Sequence, residues 1–396
     1  MHVFTSVTAN YIPKARVLAQ SVKHHHPEAH FTLVLSDHLP EWLKLDDEPF
    51  DLVVTGASLG IAEFPAWAFK HSVVEMCTAV KGTTFQYLIR ELGAEKIFFL
   101  DPDIAVMGRL DVLLDRLDRS SILLTPHQTI PEETREAVID NEICSLKHGV
   151  FNLGFLGIRA SEEGRRFIDW WAERLLSFCY DDIPGGLFTD QRWIDLAPCF
   201  FEGIDIVREP SYNVATWNLT HRQVSGHLDN LMVNGVPLYF YHFSGFDSGD
   251  QEMMLNKYGS ASPVLKDLRN WYIEECNRNG QEAYGRLPSK YQFFANGSQI
   301  TKAHRVIYRW RKDLNAKYPD PYIVEEGKDS YFQWFHTHGA AALESWLLDH
   351  PSHAYTRELL ESKIHRQRDE LNRVYHSRTW RLARLISRFA NPFSKV

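Results

Sequence analysis

The sequence predicts an α/β fold in which a mainly parallel sheet is flanked by helices and followed by a helical C-terminal extension. Short apolar runs of strand length alternate in the N-terminal half with segments whose apolar residues recur at helical spacing. This alternation is typical of doubly wound sheets. Residues 97–100 are all apolar, as expected for a strand buried on both faces of such a sheet. With 396 residues, 44% of them hydrophobic, the chain can bury a large core.

The predicted elements follow one another in this pattern. Residues 2–8 form a first strand, and the helix from residue 12 to about 22 has apolar side chains at helical spacing. Pro13 is tolerated because it falls in the first turn of that helix. Further strands are predicted at 31–36, 51–55, 97–100, 121–125, 147–159 and 236–246, and further helices at 68–80, 85–92, 110–117, 263–276 and 302–314, with another starting at Ser161.

Two aspartates follow the apolar run 97–100 directly. In an extended chain Asp101 and Asp103 point to the same side, so their carboxylates converge, while Pro102 stiffens the turn between them. At an effective dielectric constant near ~20 the two carboxylates repel each other by up to a few kcal/mol, and a divalent cation relieves the repulsion. Mg²⁺ or Mn²⁺ held by carboxylates usually carries a diphosphate on its free positions. The alternative is a strand end followed by a solvated turn; the apolar run before the acids favours the metal site.

Three stretches of the second half carry further polar groups. The glycines of residues 147–159 predict a strand whose backbone a ligand can approach closely, or else a plain bulged strand. Asp190 and Gln191 lie in a loop, where their side chains suit the hydroxyls of a sugar. A helix N-cap at Thr189 or Asp190 is the alternative. His242 ends an apolar strand, a place where a single histidine is more often structural than a ligand.

Composition excludes several classes of protein. The five cysteines are widely spaced and none is in a C-x-x-C pair, so we expect buried thiols and neither a disulfide framework nor a zinc site. The formal net charge of −8 argues against general nucleic-acid binding. No run approaches the ~20 apolar residues of a membrane span, and the N-terminus lacks a signal-peptide pattern. We therefore expect a cytoplasmic protein.

Taken in order, the motifs resemble those of GT-A glycosyltransferases, specifically glycosyltransferase family 8, the group of glycogenin and the bacterial lipopolysaccharide galactosyltransferases. The resemblance covers residues 1 to about 250. It implies that the sheet is of the GT-A, Rossmann-like type. Five elements carry it: Thr8-Ala9-Asn10-Tyr11, Phe99-Leu100-Asp101-Pro102-Asp103, Phe151-Asn152-Leu153-Gly154, Asp190-Gln191 and Tyr241-His242-Phe243-Ser244-Gly245.

The resemblance implies two sets of site residues. The metal set, for Mn²⁺ or Mg²⁺, is similar to the D-x-D motif and its histidine partner, and consists of Asp101, Asp103 and His242. The donor set binds the nucleotide-sugar. It comprises Thr8, Asn10 and Tyr11 at the base, Lys81 and Asp101 at the diphosphate or donor sugar, Asn152 at the donor sugar, and the catalytic pair Asp190 and Gln191.

The function implied by the resemblance is metal-dependent transfer of a sugar from a nucleotide-diphosphate sugar, with a UDP-sugar favoured, to a glycan or lipid-linked acceptor. We expect retention of the anomeric configuration, with the departing phosphate taking the acceptor's proton and Gln191 or Asp190 lying under the sugar. One departure from the family follows His242. The family usually continues to a Lys-Pro-Trp that supports the diphosphate, whereas this chain has Phe246-Asp247, and the sequence leaves open whether Lys257 substitutes.

The predicted organisation has three parts: a catalytic domain at 1–250, a mainly helical extension at 251–350 that packs on it, and a basic amphipathic tail at 351–396. Residues 363–396 contain nine Lys or Arg and two acids. A helix of this composition suits an anionic inner membrane surface, or an acidic patch on its own domain or on a partner subunit. The apolar face of the predicted tail helix consists of Leu382, Leu385, Ile386 and Phe389.

Two other functions fit parts of the pattern. Haloacid-dehalogenase phosphatases also end an apolar strand in D-x-D, but they need Thr or Val two places after the second Asp, where this chain has Ala105. A non-catalytic glycan-binding or scaffold protein on a GT-A-like fold would share most of the pattern. The presence of both aspartates and His242 argues against it, and metal-dependent nucleotide binding distinguishes the two.

Overall fold

The chain folds around a seven-stranded, mainly parallel sheet with helices on both faces, which confirms the predicted α/β class. The computed structural model describes residues 1–325, 327 and 329–353. The strands are β1 (His2–Val7), β2 (His30–Leu35), β3 (Leu52–Thr55), β4 (Lys96–Leu100), β5 (Ile104–Val106), β6 (Ile122–Pro126), β7 (Phe151–Arg159), β8 (Asp181–Asp182), β9 (Leu187–Phe188), β10 (Ile204–Ile206), β11 (Val224–His227), β12 (Asn230–Val233), β13 (Val236–Pro237) and β14 (Phe240–His242). The α-helices are α1 (Ile12–His25), α2 (Phe64–Phe69), α3 (Val73–Glu91), α4 (Asp111–Arg119), α5 (Arg135–Ala137), α6 (Cys144–His148), α7 (Glu162–Phe178), α8 (Gln191–Ile194), α9 (Ala197–Phe200), α10 (Asp250–Tyr258), α11 (Pro263–Arg278), α12 (Gln281–Tyr284), α13 (Lys302–Trp310), α14 (Lys312–Lys317) and α15 (Tyr331–Asp349).

The strand order in the main sheet is β10-β6-β7-β4-β1-β2-β3. All neighbours run parallel except β7, which is antiparallel to both β4 and β6. Because β1, β2 and β4 are parallel, their carboxyl ends meet at one edge of the sheet, which is where ligands bind in open α/β sheets. A separate antiparallel pair, β5 with β14, sets His242 opposite Ile104 at this edge.

Side chains of the central strands point alternately into two cores. Phe4 and Phe99 pack with α3 and α7 on one face of the sheet, while Phe98 packs with α1 and α4 on the other. Gly82 allows α3 and α7 to approach closely, because a Cβ at this position would lie 2.6 Å from the Cα of Ala172. The two layers hold the strand ends, and with them the residues that follow each strand, in fixed positions.

The helices around residue 75 have different bounds from those predicted. In place of helices at 68–80 and 85–92 the structure has the short α2 and a single long α3. Ser72 accepts a hydrogen bond from the Glu75 N–H, and the Glu75 carboxylate accepts one from the Ser72 N–H. This capping box starts a new helix at Val73, and nothing interrupts that helix before Leu92.

Two other predicted elements are divided in the structure. The helix predicted at 302–314 is split into α13 and α14, because the backbone of Arg311 leaves the helical region with φ −93° and ψ 91°. The strand predicted at 236–246 becomes β13 and β14, which pair with different strands, β12 and β5. The second division matters for the site, since β14 alone pairs with β5, the strand that follows Asp103.

The described residues after Asp250 form helices α10 to α15 and short 3-10 turns. The chain divides into two compact units, Met1–Gly339 and Ala340–Val396, and the predicted boundary near residue 250 stays a prediction. In the first unit Tyr331 is fully buried, and its hydroxyl donates to the His304 carbonyl at 2.6 Å. In the second unit Trp346 stacks on His350 with ring centroids 4.7 Å apart.

Three expectations concern the tail, membrane-spanning helices and the cysteines. The predicted basic tail lies, from residue 354 onward, outside the described residues. None of the helices in the described part is long and apolar enough to cross a bilayer. All five cysteines are free thiols, but the expectation that they are buried is wrong for Cys144 and Cys199, which are exposed.

Candidate active site

A cavity of about 610 Å³ opens where β4 ends and β7 begins. Its walls come from α3, the start of β7, the loop before α8, the segment after β14, and the helical segment 140–148. Six of the predicted site residues therefore share one space: Lys81, Asp101, Asn152, Asp190, Gln191 and His242 line the cavity.

Asp101, Asp103 and His242 form a compact cluster at this cavity. One ligand atom of each residue lies within 4.8 Å of the corresponding atoms of the other two. The Nε2 atom of His242 is 3.1 Å from Asp103 Oδ1 and 3.8 Å from Asp101 Oδ2. The antiparallel pairing of β5 with β14 produces this contact, because it places His242 beside the residue that follows Asp103. The structure thus brings together the three residues predicted to hold a metal.

The tautomer of His242 suits a metal ligand. Its Nδ1 is 3.0 Å from Asn213 Oδ1, and the orientation of that amide is fixed because Asn213 Nδ2 donates at 3.0 Å to Asn152 Oδ1, an oxygen that also accepts from the Gly154 N–H. An amide oxygen only accepts, so Nδ1 carries a proton and Nε2 is the nitrogen that faces the two carboxylates: it donates to Asp103 when the ring is charged and offers its lone pair to a cation when the ring is neutral. Such an outer partner is the usual companion of a metal-bound histidine.

The electrostatics of the cluster also fit a divalent cation. Burial raises the pKa of Asp101, whereas the charge of His242 and its hydrogen bond outweigh burial and lower the pKa of Asp103. Burial opposes protonation of His242, but the two carboxylates raise its pKa. Two carboxylates and one imidazole, all facing one point, form a donor set suited to Mn²⁺ and also acceptable to Mg²⁺.

Gly154 makes room for the histidine ring. A Cβ at Gly154 would lie 2.3 Å from His242 Cε1 and 2.6 Å from His242 Nδ1, far closer than any side chain can approach. The glycine-containing strand β7 was predicted to let a ligand approach its backbone. At this position the group that approaches is the imidazole of His242.

Lys81 is buried and paired with two acids. Its Nζ lies 2.8 Å from Asp190 Oδ2, 3.5 Å from Asp101 Oδ1 and 3.9 Å above the ring centroid of Phe99. It also donates to the Leu153 carbonyl at 3.2 Å. Burial alone would lower the pKa of Lys81, but the charges of Asp101 and Asp190 raise it, so the lysine is fixed as a cation between them.

Asp190 and Gln191 are held by their surroundings. Thr189 has φ +44°, an uncommon conformation for a β-branched residue, and its hydroxyl donates to Asp190 Oδ1 at 3.1 Å. Gln191 accepts from the Leu153 N–H and donates to the His148 carbonyl, both at 3.0 Å. Asp190 is the N-cap residue of α8, as the alternative prediction had it, although its side chain makes no capping hydrogen bond and instead faces the cavity.

Asn152 is part of a buried amide network. Its Oδ1 accepts from the Gly154 N–H at 2.9 Å and from Asn213 Nδ2 at 3.0 Å, and its Nδ2 is 3.1 Å from His127 Nε2. Burial lowers the pKa of His127 to about 4, so that ring is neutral and can accept from the amide. Asn152 therefore helps to orient the Asn213 and His242 pair and has one amide hydrogen left for a ligand.

The predicted base-contact residues lie beside the cluster and outside the cavity lining. Thr8 Oγ1 donates to Asn10 Oδ1 at 2.7 Å. The Tyr11 hydroxyl donates to the Asp247 carboxylate. Burial is the main cause that raises the pKa of Tyr11, and the charges of Asp247 and Asp103 add to it. Residues 8–11 follow β1, which pairs in parallel with β4, so the two predicted sets lie at the same edge of the sheet.

Comparisons with known proteins give two distant relatives and several distant structures. No protein-family model matches the chain. The uncharacterized proteins YfnF and YfnD of Bacillus subtilis (strain 168) are each 26% identical, over 43% and 62% of this chain respectively. The alignment spans 57% of the length of YfnF and 78% of YfnD. The solved structures that align with the chain include galactosyltransferase LgtC in complex with donor and acceptor sugar analogs, at 16% identity and a TM-score of 0.42, covering 74% of this chain and 99% of that one.

Sequence reasoning missed several residues that shape the site. Asn213 sits at φ +52° in an irregular loop, where only the polar composition of the loop gives any signal. Lys14 and Asp247 pair next to Tyr11, and no local pattern connects positions so far apart. Lys257 does not reach the metal cluster, since it pairs with Asp140 and with Glu136, the latter at 2.6 Å.

Proposed function

We propose that this protein is a metal-dependent glycosyltransferase that transfers a sugar from a nucleotide-diphosphate sugar to a glycan or lipid-linked acceptor. The observation that carries the proposal is the cluster of Asp101, Asp103 and His242, of which Asp101 and His242 line the 610 Å³ cavity. A cavity of this size accommodates a sugar and part of its leaving group. The cluster suits the divalent cation that a diphosphate leaving group requires.

The chain's own residues supply position and charge. Asp101, Asp103 and His242 would hold Mn²⁺ or Mg²⁺, and Asn213 keeps the imidazole in the required tautomer. The bound cation would stabilise the negative charge that develops on the diphosphate as the bond to the sugar breaks. The protein can therefore promote departure of the leaving group without a covalent step of its own, and a UDP-sugar is the favoured donor.

We place Asp190 and Gln191 beneath the reacting sugar. Both line the cavity, and Lys81 holds the Asp190 carboxylate at 2.8 Å in one orientation. Gln191 is fixed at both ends of its amide, and each amide atom keeps hydrogen-bonding capacity for a sugar hydroxyl. A rigid polar floor under an oxocarbenium-like sugar favours transfer with retention, in which the departing phosphate takes the acceptor's proton.

The acceptor would enter along the wall made by residues 140–148 and α10. Polar side chains there suit sugar hydroxyls: Asp140, Asn141, Ser145 and His148 from one side and Asp250 from the other. The exposed Met253 adds an apolar surface near the same wall. We extend the proposal to a lipid-linked or envelope glycan because the basic sequence at 363–396 suits an anionic membrane surface.

Nucleotide-dependent thermal stabilisation tests the proposal. We would measure the melting temperature with UDP, GDP, CMP and dTDP, each with and without Mn²⁺, for wild type, Asp103→Asn and the control Asp111→Asn on α4. A ligand at ~100 Kd adds about 2.7 kcal/mol of stability, which is visible as a shift in Tm. We expect one nucleotide to stabilise wild type and the control only with Mn²⁺, and to leave Asp103→Asn unchanged.

An activity measurement completes the test. The nucleotide identified by stabilisation would be supplied as its hexose conjugates, and release of free nucleotide would be followed with Mn²⁺ and with EDTA. Mn²⁺-dependent release that Asp103→Asn abolishes supports an enzyme. Stabilisation without any release from a panel of sugars would instead favour the glycan-binding or scaffold function, and no stabilisation by any nucleotide would refute the proposed donor site.

A further inference from the structure

A buried lysine lies next to the predicted base-contact residues. The side chain of Lys14, on α1, is 2% exposed, and its Nζ lies 4.2 Å from the ring centroid of Tyr11 and 5.4 Å from that of Phe246. Its ammonium pairs with Asp247 Oδ2. A buried ammonium needs an anionic partner, because the charge loses its hydration inside the protein. Whatever occupies this position must therefore carry a negative charge.

The anion that meets Lys14 is partly exposed to solvent. Asp247 lies between β14 and α10, and its side chain is 45% exposed. The two donors Lys14 Nζ and Tyr11 Oη meet the same carboxylate oxygen, Oδ2. Two donors aimed at one anionic oxygen would serve a phosphate oxygen equally well, since carboxylate and phosphate accept the same charge-assisted hydrogen bonds. Lys14 is fixed by burial, whereas Asp247 can move into solvent.

The remaining cations near the metal cluster are already neutralised. Lys81, the one Lys or Arg that lines the cavity within the described part of the chain, is held between Asp190 and Asp101. Lys257 is tied to Asp140 and Glu136. Lys14, by contrast, lies on α1, which packs against β5, the strand that follows Asp103; Ser21 Oγ on α1 accepts from the Val106 N–H of β5 at 3.0 Å. Lys14 is thus the cation with a displaceable partner near the metal ligands.

We propose that Lys14 and the Tyr11 hydroxyl form an anion subsite for the phosphates of the nucleotide donor, in place of the base contact predicted for Tyr11, and that Asp247 occupies it until the donor displaces the carboxylate. This inference rests on the proposed function and adds to it a phosphate ligand on α1. Asp247 then acts as an internal competitor, so that removing its charge strengthens nucleotide binding.

The test is the affinity for UDP in the presence of Mn²⁺, measured by isothermal titration calorimetry on the full chain. We expect Asp247→Asn to tighten binding by about tenfold and Lys14→Met to weaken it by about tenfold or more, the size of a hydrogen bond to a charged group. Lys257→Met is the matched control and should leave the affinity unchanged. Uridine, which has no phosphate, should bind wild type and Asp247→Asn equally.

A second measurement distinguishes displacement from loss of folding. Circular dichroism and urea denaturation would establish that each variant is folded at the titration temperature. Inorganic pyrophosphate with Mn²⁺ serves as a probe without a base, and it should show the same order of affinities as UDP.

The outcomes separate this inference from the proposed function. If wild type binds UDP with Mn²⁺ but Asp247→Asn binds it no more tightly, Asp247 is a structural partner of Lys14 and the subsite is refuted, while the donor site stands. If Lys14→Met is folded and binds UDP as wild type does, the subsite is likewise refuted. If neither wild type nor Asp247→Asn binds any nucleotide, both the subsite and the proposed function fail.

Discussion

Gly154→Ala is the substitution that tests the metal cluster without replacing any of its three ligands. The added Cβ would lie 2.3 Å from His242 Cε1, 2.6 Å from His242 Nδ1 and 2.7 Å from Asn152 Oδ1. Ordinary contacts between such atoms begin near ~3.5 Å, so the ring must move by roughly 1 Å or more. The Nδ1 to Asn213 hydrogen bond, 3.0 Å in the structure, does not survive such a shift.

The cost follows from these two effects. Overpacking a filled site costs about 1–3 kcal/mol, and leaving a buried amide oxygen without its donor costs about 1–3 kcal/mol. We therefore expect the free energy of unfolding to fall by about 2–6 kcal/mol. Loss of the partner that orients a metal-bound histidine weakens metal binding by about 10–100-fold. Urea denaturation measures the first effect, and electron paramagnetic resonance of free Mn²⁺ measures the second.

Gly157→Ala on the same strand is the control for packing alone. A Cβ there would lie 3.1 Å from the side chains of Leu123 and Phe98, both in the core and remote from His242. We expect it to destabilise the fold while leaving Mn²⁺ affinity unchanged. If Gly154→Ala binds Mn²⁺ as tightly as wild type does, His242 is not a ligand in the position that the structure gives it.

Two further predictions concern buried titratable groups outside the metal cluster. Lys81→Met leaves Asp190 and Asp101 without their cation, and we expect urea denaturation to show a free energy of unfolding lower by about 3–5 kcal/mol. Adding Asp190→Asn should restore part of this loss. An unchanged urea midpoint for Lys81→Met would refute the pairing. Burial lowers the pKa of His71 to about 3 in the folded protein, whereas the pKa in the unfolded chain is ~6.5. Below pH ~6.5 the unfolded state therefore binds more protons than the folded state, and the free energy of unfolding falls as the pH drops. Between pH 7.5 and pH 5.5, His71 alone should lower the free energy of unfolding by about 1.4 kcal/mol. The free energy of unfolding of His71→Gln should therefore fall by about 1.4 kcal/mol less than that of wild type over this range. An equal fall in both proteins would show that the ring titrates normally.

Local pattern predicted the parts of the site that sit at strand ends. The apolar run 97–100 and the aspartates after it predicted β4 and the position of its carboxyl end. A buried strand and a pair of acids can both be recognised from consecutive residues. The mainly parallel sheet followed from the same alternation. The antiparallel direction of β7 did not, since strand direction depends on connections that residue order alone does not fix.

What brings His242 to the aspartates is long-range pairing. Strands β5 and β14 have three residues each, too few for a periodic signal, and their register is set by packing across more than a hundred residues of chain. Asn213, which fixes the imidazole, sits in a loop with no motif of its own. The structure was needed to connect these groups, although the identities of both aspartates and the histidine were predictable.

The order of charges across the site determines which lysine can meet a phosphate. Asp190, Lys81, Asp101, His242 and Asp103 form a chain of alternating acidic and basic groups, each next to the one that follows. With a cation bound to the metal cluster, the charge of Asp101 would no longer need Lys81 as its partner. Asp190 lies closer to Lys81 Nζ than Asp101 does, at 2.8 Å against 3.5 Å, so Lys81 would stay paired with Asp190. On the proposed function, Lys81 would then remain with Asp190 beneath the sugar. The negative charge of the leaving group would need another cation, and the proposed anion subsite supplies Lys14 for it.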